Sequence, residues 1–424
     1  MRHAARAPAP RGTRDAALII AVRGLRSFGY GLLSVLLGVA LSTAGFSPAA
    51  IGALITVSLV GDFCGTYVIG LCADRWGRRR TLAVLALLMA LTGAIFGLIH
   101  AYAVLLGAAF FGTLGTSASE TAPFLPIEQA MLPQTGPPER RTDLFARYNL
   151  VASFAGAGGA LAAGVPDLLT HAGLSLPAGM RLMFGVYTAV ALAVALLVLR
   201  LSPRVEPAAA VPRCAATRWQ RLVPPLGRSR GIVVRLAALF SIDALAGGLV
   251  VQSLMVLFFH LRFGVPLAPL AALFFGANTL SALSFLAAAP LARRIGLLNT
   301  MVLTHLPSNV LLALVAAMPT FPLAAMVLLT RHALSQMDVP TRQAYTMALV
   351  APEERTAAAS VTSLARSAGS AASPVVGGAL LQGSLLVLGL PFVVAGALKA
   401  AYDLTLWVLF RRVDTMAVEE GAYT

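Results

Sequence analysis

Residues 70–80 read Gly70-Leu71-Cys72-Ala73-Asp74-Arg75-Trp76-Gly77-Arg78-Arg79-Arg80. An apolar run stands on either side, near 49–71 and 81–101, each long enough to cross a hydrocarbon core of about 30 Å as a helix. The stretch therefore reads as a tight link between two membrane spans. Its four arginines fit the excess of positive charge that cytoplasmic loops carry. That bias gives no reason for the glycines or for the single carboxylate among the bases.

Runs of the same kind recur near 16–41, 103–133, 147–170 and 179–200. A second set lies near 231–258, 265–289, 299–318, 321–349, 357–382 and 387–410. The 424-residue chain is 58% hydrophobic and only 12% charged, where a soluble domain carries about a quarter charged residues. Its mean hydropathy is +0.82, and no alternating ten-residue pattern of an outer-membrane barrel appears. The expectation is an all-α membrane protein of twelve transmembrane helices. Residues 1–200 would form an N-terminal six-helix bundle and 231–412 a C-terminal one. Residues 201–230, with five prolines and many arginines, read as a cytoplasmic linker, and 413–424 as a cytoplasmic tail. The first run, interrupted by Arg23 and Arg26, is too long for a cleaved signal peptide and reads as a retained span.

A net charge of +15 and a pI near 11.0 could suggest nucleic acid as a partner. The placement of the bases argues otherwise. Arg2, Arg6, Arg11 and Arg14 precede the first span, Arg75 to Arg80 follow the second, and Arg140, Arg141 and Arg147 follow the fourth. Eight more lie from Arg200 to Arg235. With Arg293, Arg294, Arg355, Arg411 and Arg412 they fall on one side of alternating spans, against Arg181 and Arg262 on the other. This bias expects both termini in the cytoplasm and a place in a bacterial inner membrane. The partners expected are the lipid bilayer and a small-molecule substrate, not nucleic acid, with a monomer as the working unit. Cys64, Cys72 and Cys214 show no metal or disulfide spacing, and no metal or cofactor is expected.

The halves repeat. A displacement of 214 residues lays Pro126, Gln129, Ala130, Pro138, Glu139, Arg141 and Thr142 on Pro340, Gln343, Ala344, Pro352, Glu353, Arg355 and Thr356. A displacement of 219 lays Arg75, Gly77 and Thr81 on Arg294, Gly296 and Thr300. Two clusters at nearly one offset indicate parallel repeats, with a substrate site near the midplane between them.

Residues 70–80 resemble the loop signature of the major facilitator superfamily at each defining position: Gly70, Asp74, Arg75, Gly77, Arg78 and Arg79, with Arg80 following. The resemblance implies that Gly70 allows close helix packing. It also implies that Asp74 meets the start of the eleventh helix near Ala357, where a carboxylate faces a positive dipole end. That contact would hold the cytoplasmic side shut in the outward-open state. The second-half copy, Arg293-Arg294-Ile295-Gly296, lacks the aspartate. The family's glycine- and proline-rich antiporter run is not matched in the fifth span. Gly156, Gly158, Gly159, Gly164 and Pro166 stand in a different order there and read as small residues for helix packing.

Ionisable residues inside spans are expensive and mark function by default. They are Arg23, Arg26, Asp62, Glu120, Glu128, Asp243, Arg331, Asp338, Arg342, Arg366, Lys399 and Asp403, six acids against six bases. Structural ion pairs between helices are the plain alternative for each. Arg26 and Asp243 lie at like depth in repeat-mate helices, so a pair or a shared claim on an anionic substrate is expected. Glu120, Asp243 and Asp338 are the candidate proton carriers, since burial holds a carboxyl near neutrality. Lys399 stands four residues before Asp403 and reads as its helical partner, while Asp62 reads as a partner for an arginine. Glu128 and Arg342 occupy one place in the repeat and are expected to form a cytoplasmic gate between the halves. Pairing of Glu128 with Arg75 or Arg78 is the alternative. The function expected is secondary active transport by alternating access, with the proton as coupling ion and efflux of a small organic solute. Uptake of an organic anion, suggested by Arg26, Arg331 and Arg366, is the second reading. A transport-inactive sensor or assembly partner is the third, and no enzymatic constellation is present.

Overall fold

In hydrocarbon a backbone N–H or C=O has no water to pair with, so an apolar run survives by closing its hydrogen bonds within itself. The computed structural model is helical accordingly, with no strand among the described residues. It describes residues 11–116, 123–135, 141–206, 227, 229–350, 354–383 and 385–411.

The first spans are continuous: α1 (Arg11–Thr43), α2 (Pro48–Trp76) and α3 (Arg78–Leu98), then α8 (Leu176–Leu199). The second half has continuous counterparts of the last three in α11 (Leu267–Ile295), α12 (Leu297–Ala317) and α18 (Leu390–Phe410). Nine described helical stretches are long and apolar enough to cross a membrane.

Several expected spans are instead divided. The run 103–133 becomes α4 (Tyr102–Phe111) and α5 (Phe124–Met131), and its repeat mate 321–349 becomes α13 (Phe321–Leu334) and α14 (Asp338–Ala348). The run 147–170 becomes α6 (Arg141–Ala162) and α7 (Val165–His171). Its mate becomes α15 (Arg355–Ala372) and α16 (Pro374–Leu380). The run 231–258 becomes α9 (Arg230–Leu249) and α10 (Gln252–Phe263), and a short α17 (Leu385–Leu388) precedes α18. Proline accounts for two of the breaks, since Pro166 and Pro374 each stand in the first turn of the helix that restarts.

The repeat is visible in the link quoted above. Gly77 joins α2 to α3 at φ +92°, and Gly296 joins α11 to α12 at φ +84°. This left-handed region favours glycine, which explains the residue that charge alone could not. Thr81 donates to the Gly77 carbonyl at 2.9 Å, and Thr300 donates to that of Gly296 at 2.7 Å. The first link has a support that the second lacks among the described residues. The backbone N–H groups of Arg78 and Arg79 donate to the carboxylate of Glu206 at 2.7 and 3.0 Å, which caps the start of α3 from the linker.

Packing follows the same symmetry. Within the first half α1 lies on α6 and α3 on α8, and within the second α9 lies on α15 and α12 on α18. Between halves α2 meets α15 and α16, and α6 meets α11. Each hydrogen bond described between the halves lies away from the basic loops. Gln252 and Ser253 reach Ser34 at 2.8 and 3.1 Å, the N–H of Val375 reaches Thr56 at 3.0 Å, and that of Ala268 reaches Asp167 at 2.6 Å. Ser253 also donates to the carbonyl of Thr116 at 3.0 Å. A Cβ on Gly52 would stand 2.4 Å from the carbonyl oxygen of Pro374, and one on Gly378 2.3 Å from that of Pro48. The two halves are thus pinned at the end remote from Arg78–Arg80 and Arg293–Arg294.

Candidate functional site

Two buried charge clusters sit inside the spans, one in each half. In the first half Arg26 of α1 donates to Glu128 of α5 at 2.6 Å, and neither side chain is exposed by more than 1%. Tyr148 of α6 donates to the same carboxylate oxygen at 2.5 Å. The Arg26 guanidinium lies 4.6 Å above the Phe124 ring, and that of Arg23 lies 4.9 Å above Tyr148. Such cation–π contacts stabilise a desolvated charge.

In the second half Asp243 of α9 is the centre. It accepts from Lys399 of α18 at 2.5 Å, Arg366 of α15 at 3.0 Å and Arg342 of α14 at 3.4 Å. Arg342 also pairs with Asp338, one turn away on its own helix, at 2.9 Å. His305 of α12 bridges the hub to Asp403. One ring nitrogen lies 2.9 Å from the Asp403 carboxylate and the other 3.9 Å from Asp243. Asn309 donates to Asp403 at 2.8 Å. Four further helices therefore converge on α9 through one carboxylate, a geometry in which losing or gaining a single charge is felt by all of them. Arg366 is the member open to solvent, with a third of its side chain exposed. Arg331 of α13 forms no ion pair among the described residues. Its Nη1 stands 3.3 Å from His332, which is bonded in turn to Ser281.

These partners differ from those expected. Arg26 does not meet Asp243, because each already has a counter-charge within its own half. Lys399 reaches across to Asp243, and Asp403 is held by His305 and Asn309. In this state Arg26 and Tyr148 hold Glu128, and Asp338 and Asp243 hold Arg342, so the two do not meet; the gate expected of them belongs to the state closed on the side of the basic loops. The alternative of Glu128 on Arg78 is also not formed. Arg78 points instead toward the carbonyls of Ala130 and Val205, at 3.4 and 3.5 Å. A buried charge drawn out of a satisfied pair leaves its partner stranded at a cost of about 3–5 kcal/mol. Asp62 has no arginine partner among the described residues. Glu120 lies outside the described residues, as do the side chains of Asp74 and Arg75 and the surroundings of Gly70.

His305, Asn309, Tyr148 and Glu206 were missed in the sequence. The first two carried one signal, polar residues a turn apart around Pro307 in an otherwise apolar run.

Divided helices, parallel repeats and buried interhelical charges are features of membrane transporters. The Major Facilitator Superfamily model matches residues 19–337, and the chain belongs to that family, whose members are transporters and not enzymes. An uncharacterized membrane protein of Saccharomyces cerevisiae is 27% identical over 428 residues, covering 95% of each chain. The xylose transporter XylE from E. coli, in an inward open conformation, superposes with a TM-score of 0.73 at 14% identity, covering 96% of this chain and 100% of that one. The nucleoside transporter NupG superposes with a TM-score of 0.70 at 15% identity, covering 94% and 99%.

Proposed function

We propose that the protein is a proton-coupled secondary transporter that exports a small organic solute, with its basic loops on the cytoplasmic side. The observation that supports coupling is the Asp243 hub. A carboxylate shared by three cations and a histidine, reaching into four neighbouring helices, ties the charge state of the interior to helix arrangement. With those loops in the cytoplasm, the contacts that pin the remote end belong to a state closed on the far side of the membrane. Uptake of an organic anion is the second reading, and Arg331 favours it: a cation without an ion pair among the described residues, in the same half as the partly exposed Arg366, suits an anionic group. The test is reconstitution into liposomes with a pH-sensitive dye inside, challenged with panels of organic anions, organic cations, sugars and nucleosides. Proton movement driven by one class is the expected result. Solute flux with no proton movement under any gradient refutes the coupling.

A further inference from the structure

Every other acidic side chain described deep within the spans is answered by a donor or a cation. Glu128 has Arg26 and Tyr148, Asp243 has Lys399, Arg366 and Arg342, Asp338 has Arg342, and Asp403 has His305 and Asn309. Asp62 is the exception. It sits midway along α2, is 6% exposed, and its buried Oδ1 has no hydrogen-bond partner. A bare carboxylate in such a place costs several kcal/mol or more. It is stable there when it holds a cation.

The surroundings suit one. Ser58 and Thr66 stand one turn before and after Asp62 on the same face of α2, and each has a buried hydroxyl without a partner. Next to Asp62, Gly61 brings the α2 backbone against α4, where an added Cβ would lie 2.0 Å from the Phe110 carbonyl oxygen. There α4 ends: Gly112 is extended, and the last turn carries no basic residue. The negative end of a helix dipole is thus left uncompensated. Thr113, just past that end, and Tyr30 of α1 add two more buried hydroxyls without partners. Uncompensated helix ends and unwound backbone are where transporters hold coupling ions.

No described cation of the protein fills the role. The described ionisable groups on elements packed against α2 are Arg14, Asp15, Arg23, Arg26 and Tyr30 of α1, Arg78–Arg80 of α3, Tyr102 of α4, Glu128 of α5, and Arg355 and Arg366 of α15. Tyr187 of α8 lies beyond, bonded to the Thr113 carbonyl at 2.6 Å. Arg26 and Arg366 are committed to Glu128 and Asp243, Arg79 to the carbonyl of Leu199, and Arg355 to that of Met347. None makes an ion pair with Asp62.

We infer that Asp62 is the binding site of the monovalent coupling cation, a proton or a sodium ion, beside the C-terminal end of α4. The inference rests on the transporter reading above. It also supplies a route to movement, because α2 carries Gly52 and Thr56, which join the two halves. Loading neutralises the only bare charge described on that helix, and release toward the other side restores it. As a proton site the exchange is a carboxylate gaining one proton and later losing it.

The test needs no solute. Infrared difference spectra of the purified full-length protein are recorded over roughly pH 5–9, in sodium chloride and in choline chloride. Wild type is expected to show the carbonyl band of a protonated carboxyl that fades as pH rises. Asp62→Asn is expected to lose it, and Asp62→Glu to retain it. A band displaced by sodium chloride at fixed pH identifies sodium and supports the site while refuting proton coupling. A band unchanged in Asp62→Asn, or lost only in Asp338→Asn, overturns the assignment. Thermal unfolding checks folding independently. Asp62→Asn removes a bare buried charge and should melt at or above wild type near neutral pH, and a clear drop argues against the site. Proton-driven transport that survives in Asp62→Asn sinks the site alone. A cation bound at Asp62 without ion-driven transport sinks the function alone.

Discussion

Arg26 and Glu128 form a buried pair between the first and fourth spans at 2.6 Å, and Asp243 and Arg342 repeat it between the seventh and tenth with the charges exchanged, at 3.4 Å. The four residues occupy equivalent places in the repeat. Opposite charges at symmetric positions invite a pair across the axis. The structure satisfies each within its own half, so each half can bury its charges as it forms.

This arrangement predicts the outcome of two exchanges. Glu128→Gln or Arg26→Met alone leaves one buried charge without its partner and should lower stability by about 3–5 kcal/mol. Replacing both with leucine should recover most of that loss. Exchange across the halves, Glu128→Arg with Arg342→Glu, should recover nothing, since it sets like charges at Arg26 and at Asp243. Thermal unfolding in detergent reads all four. Recovery in the cross-half exchange would favour the gate over the intra-half pairs.

The hub predicts an order of severity. Asp243→Asn leaves Lys399, Arg342 and Arg366 facing one another with their common carboxylate gone. Lys399→Met leaves Asp243 with two arginines still in place. The first variant should therefore unfold at a clearly lower temperature than the second, while both lose solute-driven proton movement. Equal thermal shifts for the two would mean that Lys399 is the main partner and the arginines add little.

The spans, the basic linker and the repeat were legible because composition, length and loop charge respond to the bilayer alone. Gly77 was legible as an anomaly, and its φ of +92° explains it. The buried charges were legible one at a time, since each is costly by itself. Their partners were not, because pairing depends on which helices are neighbours. Lys399 and Asp403 have the spacing of a helical pair, yet Lys399 reaches α9 at 2.5 Å. Asp62 looked like one more member of a balanced set, and only the three-dimensional count of partners separates it. Members such as His305 and Tyr148 are not marked out in an apolar run as a permanently charged side chain is.

Glu206 gives the signature loop a support from 127–128 positions away. Glu206→Ala removes the acceptor for two backbone N–H groups at the start of α3 and should cost about 0.5–2 kcal/mol, the usual worth of a helix cap. Glu206→Gln should recover part, keeping an oxygen acceptor without the charge. Hydrogen exchange at Arg78 and Arg79 should quicken in both variants. Unchanged protection there would show that the linker contact does not hold the loop.

Gly52 and Gly378 decide whether the end remote from the basic loops can close. At both positions an added Cβ would fall within 2.4 Å of a carbonyl oxygen on the facing helix, closer than packing allows, and neither backbone can yield without moving its helix. Gly52→Leu and Gly378→Leu should therefore fold, since each half keeps its own core, but hold that end apart. Transport should fall at least about tenfold, a loss of roughly 1.4 kcal/mol in the closed state. A single cysteine near Ser47, in a background without Cys64, Cys72 and Cys214, should react faster with a membrane-impermeant thiol reagent in these variants. Gly45, at φ +89° with open space within 4 Å of where a Cβ would stand, is the control. Alanine there strains a turn without wedging the halves and should leave that reactivity as in wild type. If Gly52→Leu transports normally, the contact between α2 and α16 is not part of the cycle, and closure must rest on α1 against α10.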